Sequence, residues 1–158
     1  MNKKFSLNTI SILILGLMLT APTACFADGS KAKVLEIKGG DAMMMKEGAA
    51  EWAKLDQSVI FEEGDSIKTG PDTTVRLECM GNSKTAELLV RAGTEFKFTT
   101  FRHDEADKID NTLLNVGVGS VLVKAEKLVG ASKFEIKTPT SIVGVRGTIF
   151  EVHVPKAE

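Results

Sequence analysis

Few side chains in this sequence have the chemistry that catalysis or metal binding requires. The chain of 158 residues contains two histidines, two cysteines and no tyrosine. The histidines are His103 and His153, and Cys79 is the one cysteine that lies beyond the first 27 residues. A single cysteine excludes an internal disulfide and a multi-cysteine zinc site in that part of the chain. We therefore expect no catalytic residue, no resident metal ion and no cofactor.

The densest group of possible metal ligands surrounds His103. Asp104 and Glu105 follow it directly, and Asp107 and Asp110 come shortly after. These side chains suit zinc or a hard cation, but their spacing matches no calcium loop and includes one imidazole. The sequence favours a solvated acidic loop or one helical turn, with Asp104 as its cap.

Three other features have structural rather than chemical interpretations. Met43–Met45 could bind copper, but the segment lacks spaced methionine and histidine ligands, and we interpret it as a strand. Cys79 shares a strand face with Leu77, which predicts a buried and unreactive thiol. His153 alternates with Glu151 and is expected at the surface.

The first 27 residues have the pattern of a secretory signal. Two lysines precede the uncharged apolar run 10–19, and small residues follow it up to a cut expected after Ala27. That run is shorter than the about 20 residues that a spanning helix needs. Cys25 offers an alternative, because Pro22–Cys25 imitates a lipoprotein cleavage box. We expect cleavage, and a single periplasmic or secreted domain over residues 28–158.

The charge balance limits the possible partners. All 21 acidic residues follow the leader, together with 18 of the 20 basic ones. A weakly acidic domain without a basic block is poorly suited to nucleic acid. Contact with a membrane is expected only if Cys25 carries a lipid or the signal is retained.

Alternation of apolar and charged residues predicts many short strands. The pattern is found in four segments, namely Val75–Cys79, Phe96–Phe98, Phe134–Lys137 and Phe150–Val154. Glycine and polar turns separate these segments, which predicts an all-β fold, an antiparallel sandwich or barrel-like single domain. The glycine-interrupted segment 116–123 requires a bend or bulge near Gly117 or Gly119.

The most specific motif lies near the C-terminus. The segment 136–139 reads Ile-Lys-Thr-Pro, and the segment 143–148 reads Val-Gly-Val-Arg-Gly-Thr. Upstream, the segment 64–70 reads Gly-Asp-Ser-Ile-Lys-Thr-Gly. Together these turns resemble the signature of the FecR-like periplasmic domain family, over about residues 33–154. The signature residues are Gly64, Asp65, Thr69, Gly70, Thr138, Pro139, Arg146, Gly147 and Thr148.

The resemblance implies an exported, non-enzymatic domain that binds a protein or an envelope component, in envelope signalling or sensing. Larger family members carry a cytoplasmic sigma-regulating segment, which we do not expect ahead of this stand-alone domain. The family commonly has Asp-Gly-Ser where this chain has Met80–Ser83, so the acid of that turn is missing. Two other functions remain open, namely a structural envelope lipoprotein anchored through Cys25 and a small envelope hydrolase or metal-binding protein.

The resemblance also bears on the segment Ala42–Leu55. Its residues are good helix formers, and local propensity alone predicts a helix weakened by Gly48. The family pattern instead implies a β-hairpin with its turn near Glu47 and Gly48.

The chemistry of the signature residues suggests roles in turns. Pro139 removes a backbone donor and should end the preceding strand, and Gly147 can adopt a positive φ. The donors of Arg146 suit a carboxylate, with Asp65 and Glu63 as candidates, or several carbonyl oxygens. Arg146 could use them to receive an acidic partner segment or to hold a turn inside the domain. We favour the structural role, in which Arg146 and Thr148 lock the turn inside the domain. The segment 64–70 lacks the spacing of a phosphate-binding loop, and we interpret it as a hairpin turn.

Overall fold

The structure, a computed structural model, describes residues 29–81 and 83–156. These residues form twelve strands and no helix, which confirms the all-β prediction. The signal segment 1–27, the cut after Ala27 and the lipidation candidate Cys25 lie outside the described residues. So does Asn82, in the turn where the family commonly has an acid.

The strands follow one another with short connections. They are β1 (Lys31–Lys38), β2 (Ala42–Met45), β3 (Ala53–Lys54), β4 (Ile60–Phe61), β5 (Ser66–Thr69), β6 (Thr74–Met80), β7 (Lys84–Val90), β8 (Glu95–Asp104), β9 (Ile109–Ala125), β10 (Lys133–Lys137), β11 (Ile142–Val145) and β12 (Ile149–Val154).

The twelve strands form one curled sheet whose two halves share β9. The first half has the order β4-β1-β6-β7-β9-β12, and the second has the order β3-β2-β5-β8-β9-β10-β11. Neighbouring strands are antiparallel, except that β9 and β10 are parallel. The described part of the chain thus has four edge strands, namely β3, β4, β11 and β12.

Strand β9 changes its neighbours at Gly119. Residues up to Val118 pair with β8, and residues from Gly119 onward pair with β12. Gly119 has a φ of +98°, and a side chain there would overlap Thr94. Only glycine combines this conformation with so close an approach. The predicted bend is therefore confirmed, at the second of the two glycines considered.

The core is filled by the inward residues of both halves. Strand β6 buries Leu77 and Cys79 completely, as alternation along the strand predicts. Phenylalanines of β8 form its centre, with Phe96 and Phe98 at 5.2 Å and Phe98 and Phe101 at 5.0 Å between ring centroids. Full burial of one such side chain stabilises a fold by about 1.5–3 kcal/mol.

The segment Ala42–Leu55 forms a hairpin, as the resemblance implied and local propensity did not. Strands β2 and β3 pair across a turn in which Ala49 N–H donates to Lys46 O at 3.0 Å and Gly48 has a φ of +75°. The hairpin buries Met44 in the core, while the methionines on either side stay half-buried. This burial outweighs the preference of the residues for a helix.

The acidic segment around His103 joins β8 to β9 rather than forming a free loop. Asp104 Oδ1 accepts from the N–H groups of Ala106 and Asp107 at 2.9 and 3.1 Å, so it caps the turn. His103 and Asp110 form a buried cross-strand pair. The expectation of a solvated segment is wrong for these two residues, because strand alternation turns both side chains inward.

Candidate functional site

The carboxylate of Asp65 organises the first signature turn. Its side chain is 2% exposed, and it accepts from Lys46 Nζ at 2.6 Å. It also accepts from the backbone N–H groups of Glu47 at 3.1 Å and Glu62 at 2.9 Å. Hydrogen bonds to a charged acceptor are stronger than neutral ones. Asp65 therefore binds the β2–β3 turn to the turn before β5.

The two glycines of this turn allow close contacts. Gly64 has a φ of +89°, and a side chain there would overlap the side chain of Glu47. A Cβ at Gly70 would lie 2.6 Å from Asp41 Cβ. Both positions therefore require glycine for steric reasons, and neither leaves space for a ligand against its backbone.

Thr69 closes the same motif with a buried hydroxyl. Its Oγ1 donates to Arg91 O at 2.6 Å and accepts from Thr94 N at 3.0 Å. After Gly70 the chain turns, with Thr73 N donating to Gly70 O at 3.3 Å, and β6 begins at Thr74. The motif is therefore a turn followed by β5. The interpretation as a hairpin turn is wrong, because β5 pairs with β2 and β8, and neither β4 nor β6 pairs with it.

Thr138 and Pro139 form the turn between β10 and β11. Thr138 N donates to Ser141 O at 2.8 Å, and Thr138 Oγ1 accepts from Ser141 N at 3.0 Å. Strand β10 ends at Lys137, which confirms the role predicted for Pro139.

Thr69 and Pro139 line the same cleft, which has a volume of about 770 Å³. Lys68 and His153 also line it, from β5 and the end of β12. Lys68 Nζ lies 3.6 Å from Glu95 Oε2. The structure therefore brings together residues of the Gly64–Gly70 and Thr138–Pro139 motifs in one cleft, a proximity that no local pattern in the sequence indicates.

Arg146 pairs with neither of the two candidate carboxylates, Asp65 and Glu63. Lys46 binds Asp65, and Arg102 Nη2 lies 2.7 Å from Glu63 Oε1. Phe101 N–H also donates to Glu63, and the Arg102 hydrogen bond, as the largest cause, lowers the pKa of that carboxyl. Arg146 is exposed and donates instead to the carbonyl oxygen of Gly130 at 2.8 Å.

The remainder of the Arg-Gly-Thr turn is held by its backbone. Gly147 has the predicted positive φ, at +63°. Thr148 is exposed, and its hydroxyl reaches only Ile149 O at 3.4 Å, whereas its carbonyl accepts from Ala125 N at 3.0 Å. The Thr148 side chain therefore does not lock the turn, contrary to expectation.

Strand β11 presents an exposed apolar edge between these two turns. Ile142 is 63% exposed and Val143 is 37% exposed, and β10 is the strand that pairs with β11 in the described chain. None of the four residues of β11 is charged. The position of this strand at an edge depends on pairing between residues that are distant in the sequence. The sequence signal that could have indicated an unusual strand here is that residues 142–145 lack the alternation of apolar and charged residues found in strands such as β6, β10 and β12.

Strand β12 is also an edge, and Ile149 on it is 64% exposed. It carries Glu151 and His153 on its outer face. Arg91 binds the Glu151 carboxylate through Nε at 2.6 Å and Nη2 at 3.2 Å. Charge on an edge strand discourages the addition of another strand. Strand β12 is therefore protected against strand addition by its charged side chain, whereas β11 is not.

The histidines each lack one partner of a nucleophilic triad among the described residues. His103 Nδ1 lies 2.8 Å from Asp110 Oδ1, with no nucleophile in contact. His153 is exposed, as predicted, and its Nδ1 lies 2.6 Å from Ser120 Oγ without an oriented carboxylate. Cys79 is fully buried, as predicted, and burial raises the pKa of its thiol.

No protein-family model, curated protein or solved structure matches this chain. The described part of the chain has no helix of the length and apolar character that crossing a bilayer requires.

Proposed function

We propose that this chain is an exported, non-enzymatic FecR-like domain that binds another envelope protein by accepting an extended strand at β11. The signal pattern of residues 1–27 supports export, and the two signature turns support the family. The observation that carries the binding role is the uncharged and exposed edge of β11.

The other edges of the sheet are less suited to strand addition. Strands β3 and β4 have two residues each, and β12 carries the Arg91–Glu151 ion pair. Short or charged edges are the usual protection against pairing with another chain. A strand that adds to a sheet edge gains main-chain hydrogen bonds, and side-chain contacts give it specificity. Strand β11 is the edge that offers both free main-chain groups over four residues and exposed apolar side chains.

Arg146 suggests the chemistry of the partner. It follows β11 directly, and its one hydrogen bond within the described chain leaves most of its five donors for another group. A guanidinium fork binds a carboxylate in two parallel hydrogen bonds. The partner segment should therefore be extended and apolar, with an acidic residue close to Arg146.

Photo-crosslinking in living cells tests this function. A photoreactive amino acid at Val143 should crosslink an envelope protein, and mass spectrometry should identify the crosslinked segment. Ile142→Glu should abolish the crosslink, because an added strand would then lie against a charge. A synthetic peptide of the identified segment should bind the purified protein and lose that binding in Ile142→Glu.

Ile149→Glu is the matched control. Ile142 and Ile149 are equally exposed on edge strands, and each faces a lysine on the neighbouring strand, Lys137 and Lys124 respectively. The two variants therefore change charge and stability alike. Equal loss of the crosslink in both variants, or capture of a second copy of this chain, would contradict binding of a different protein at β11.

Export and signal cleavage are tested separately. Mass spectrometry of the native protein should find an N-terminus at Asp28. A lipid on Cys25 would instead favour the structural lipoprotein.

A further inference from the structure

The side chain of His103 is buried, and one of its two ring nitrogens has no hydrogen-bond partner among the described residues. Its side chain is 3% exposed, and its Nε2 makes no hydrogen bond to any described residue. Leaving such a group without a partner in a protein interior costs about 1–3 kcal/mol, so it calls for an explanation. The proposed strand addition at β11 does not involve this residue.

Asp110 fixes the protonation of the ring. Its Oδ1 lies 2.8 Å from His103 Nδ1. An ionised carboxylate can only accept, so Nδ1 carries the hydrogen and the neutral ring has its lone pair on Nε2. Asp110 is itself held in place, because its backbone N–H donates to Ser132 Oγ at 3.0 Å and its carboxylate packs against Gly81. A carboxylate behind an imidazole is the usual support of a metal-binding histidine.

A second possible ligand lies close to the buried Nε2 of the ring. His103 and Glu105 line a cleft of about 350 Å³ at this end of the molecule. Glu105 Oε1 lies 3.8 Å from His103 Nε2, and the Glu105 side chain is 73% exposed. A tetrahedral ion bound to both atoms would hold them about 3.4 Å apart. A small rotation of the exposed Glu105 side chain provides this distance.

The surroundings predict a weak and exchangeable site rather than a structural one. Among the described residues, no three of His, Cys, Asp and Glu gather around a common point. Lys31 and Lys33 also line the cleft, although Lys33 Nζ lies 2.9 Å from Glu78 Oε1, which offsets its charge. Water would have to complete the coordination sphere.

We propose that His103 Nε2 and the Glu105 carboxylate bind a divalent transition-metal ion of the zinc or copper type, with Asp110 as the positioning carboxylate. Imidazole nitrogen together with carboxylate oxygen is a ligand set that these ions accept. The ion would satisfy the unpaired Nε2. This proposal does not depend on the binding role of β11.

Titration of tag-free protein with Zn²⁺ tests the proposal directly. In nitrogen-15 NMR of the two histidines, the His103 Nε2 resonance should shift, while the His153 ring should respond little. By calorimetry, His103→Gln should weaken Zn²⁺ binding at least about tenfold, and Asp110→Asn should weaken it about 10- to 100-fold.

His153→Gln is the matched control, because it removes the other histidine and should leave Zn²⁺ affinity unchanged. A zinc-induced shift at His153 alone, no shift at either ring, or undiminished binding in His103→Gln would overturn the proposal. If a variant does not fold, as judged by circular dichroism, the histidine spectrum of the unsubstituted protein decides the question.

Discussion

Asp65 and Arg146 are the charged residues of the first and last signature turns, and their surroundings differ. Asp65 is buried and accepts three hydrogen bonds from the β2–β3 turn and its own turn. Arg146 is exposed and donates one to a carbonyl. Residues that look equally characteristic in the sequence therefore serve different purposes. The first turn stabilises the fold, whereas the last leaves a charged side chain available beside an apolar edge.

The largest expected effect is that of Asp65→Ala. The substitution leaves the N–H groups of Glu47 and Glu62 without their acceptor and removes the ion pair with Lys46. We expect a loss of about 3 kcal/mol in the free energy of unfolding, measured by urea denaturation. Asp107→Ala, which removes an exposed carboxylate, is the control. A loss of similar size in both variants would mean that the hydrogen bonds and the ion pair of Asp65 do not stabilise the fold.

The glycines of the two turns give the second comparison. Gly64→Ala should cost about 2 kcal/mol or more, because it adds a clash with Glu47 to the strain of a positive φ. Gly147→Ala should cost less, since its Cβ would lie 3.3 Å from the nearest atom, Lys127 Cα. Gly48→Ala, at a positive φ in open space, measures the strain alone. In thermal melts, the decrease in melting temperature should be largest for Gly64→Ala, smaller for Gly147→Ala and smallest for Gly48→Ala. The reverse order would contradict this comparison.

Glu63 provides a pH-dependent test of the first turn. The hydrogen bond from Arg102 lowers its pKa, so the ionised carboxylate stabilises the folded state. This stabilisation is present above the ordinary carboxyl pKa and is lost as the pH falls through the lowered value. Glu63→Gln should therefore lower stability near neutral pH by at most about 1 kcal/mol, because the pair is partly exposed. The two stability curves should converge in acid, and parallel curves would refute the assignment.

Arg146→Ala should have the smallest effect on stability, within about 0.5 kcal/mol, because its side chain is exposed. The same substitution should weaken binding of the partner segment to β11. A large loss of stability would show that Arg146 serves the fold, as Asp65 does. Equilibrium unfolding and peptide binding measured on the same preparation separate the two roles.

Local pattern was sufficient to predict the strands and several turns. Alternation placed Cys79 inside and His153 outside, and the glycine-interrupted segment predicted a bend near Gly117 or Gly119, which lies at Gly119. Local pattern failed where the outcome depends on contacts between distant residues. The partners of Asp65 and Arg146 are set by the hairpin β2–β3 and the loop before β10, and Asp110 lies across from His103 because of the register between β8 and β9. The exposure of β11 likewise follows from its place at the end of the sheet.

The long strand β9 has a consequence for the order in which the molecule can form. It pairs on one side with β8 and β7, which precede it, and on the other with β10 and β12, which follow it. The second half of β9 therefore stays an open edge until the last strand, up to Val154, is available. Folds closed by such distant pairings form slowly, on the scale of milliseconds to seconds. For the export proposed above, this delay would help to keep the chain unfolded during passage across a membrane, since the sheet is completed only when β12 is available.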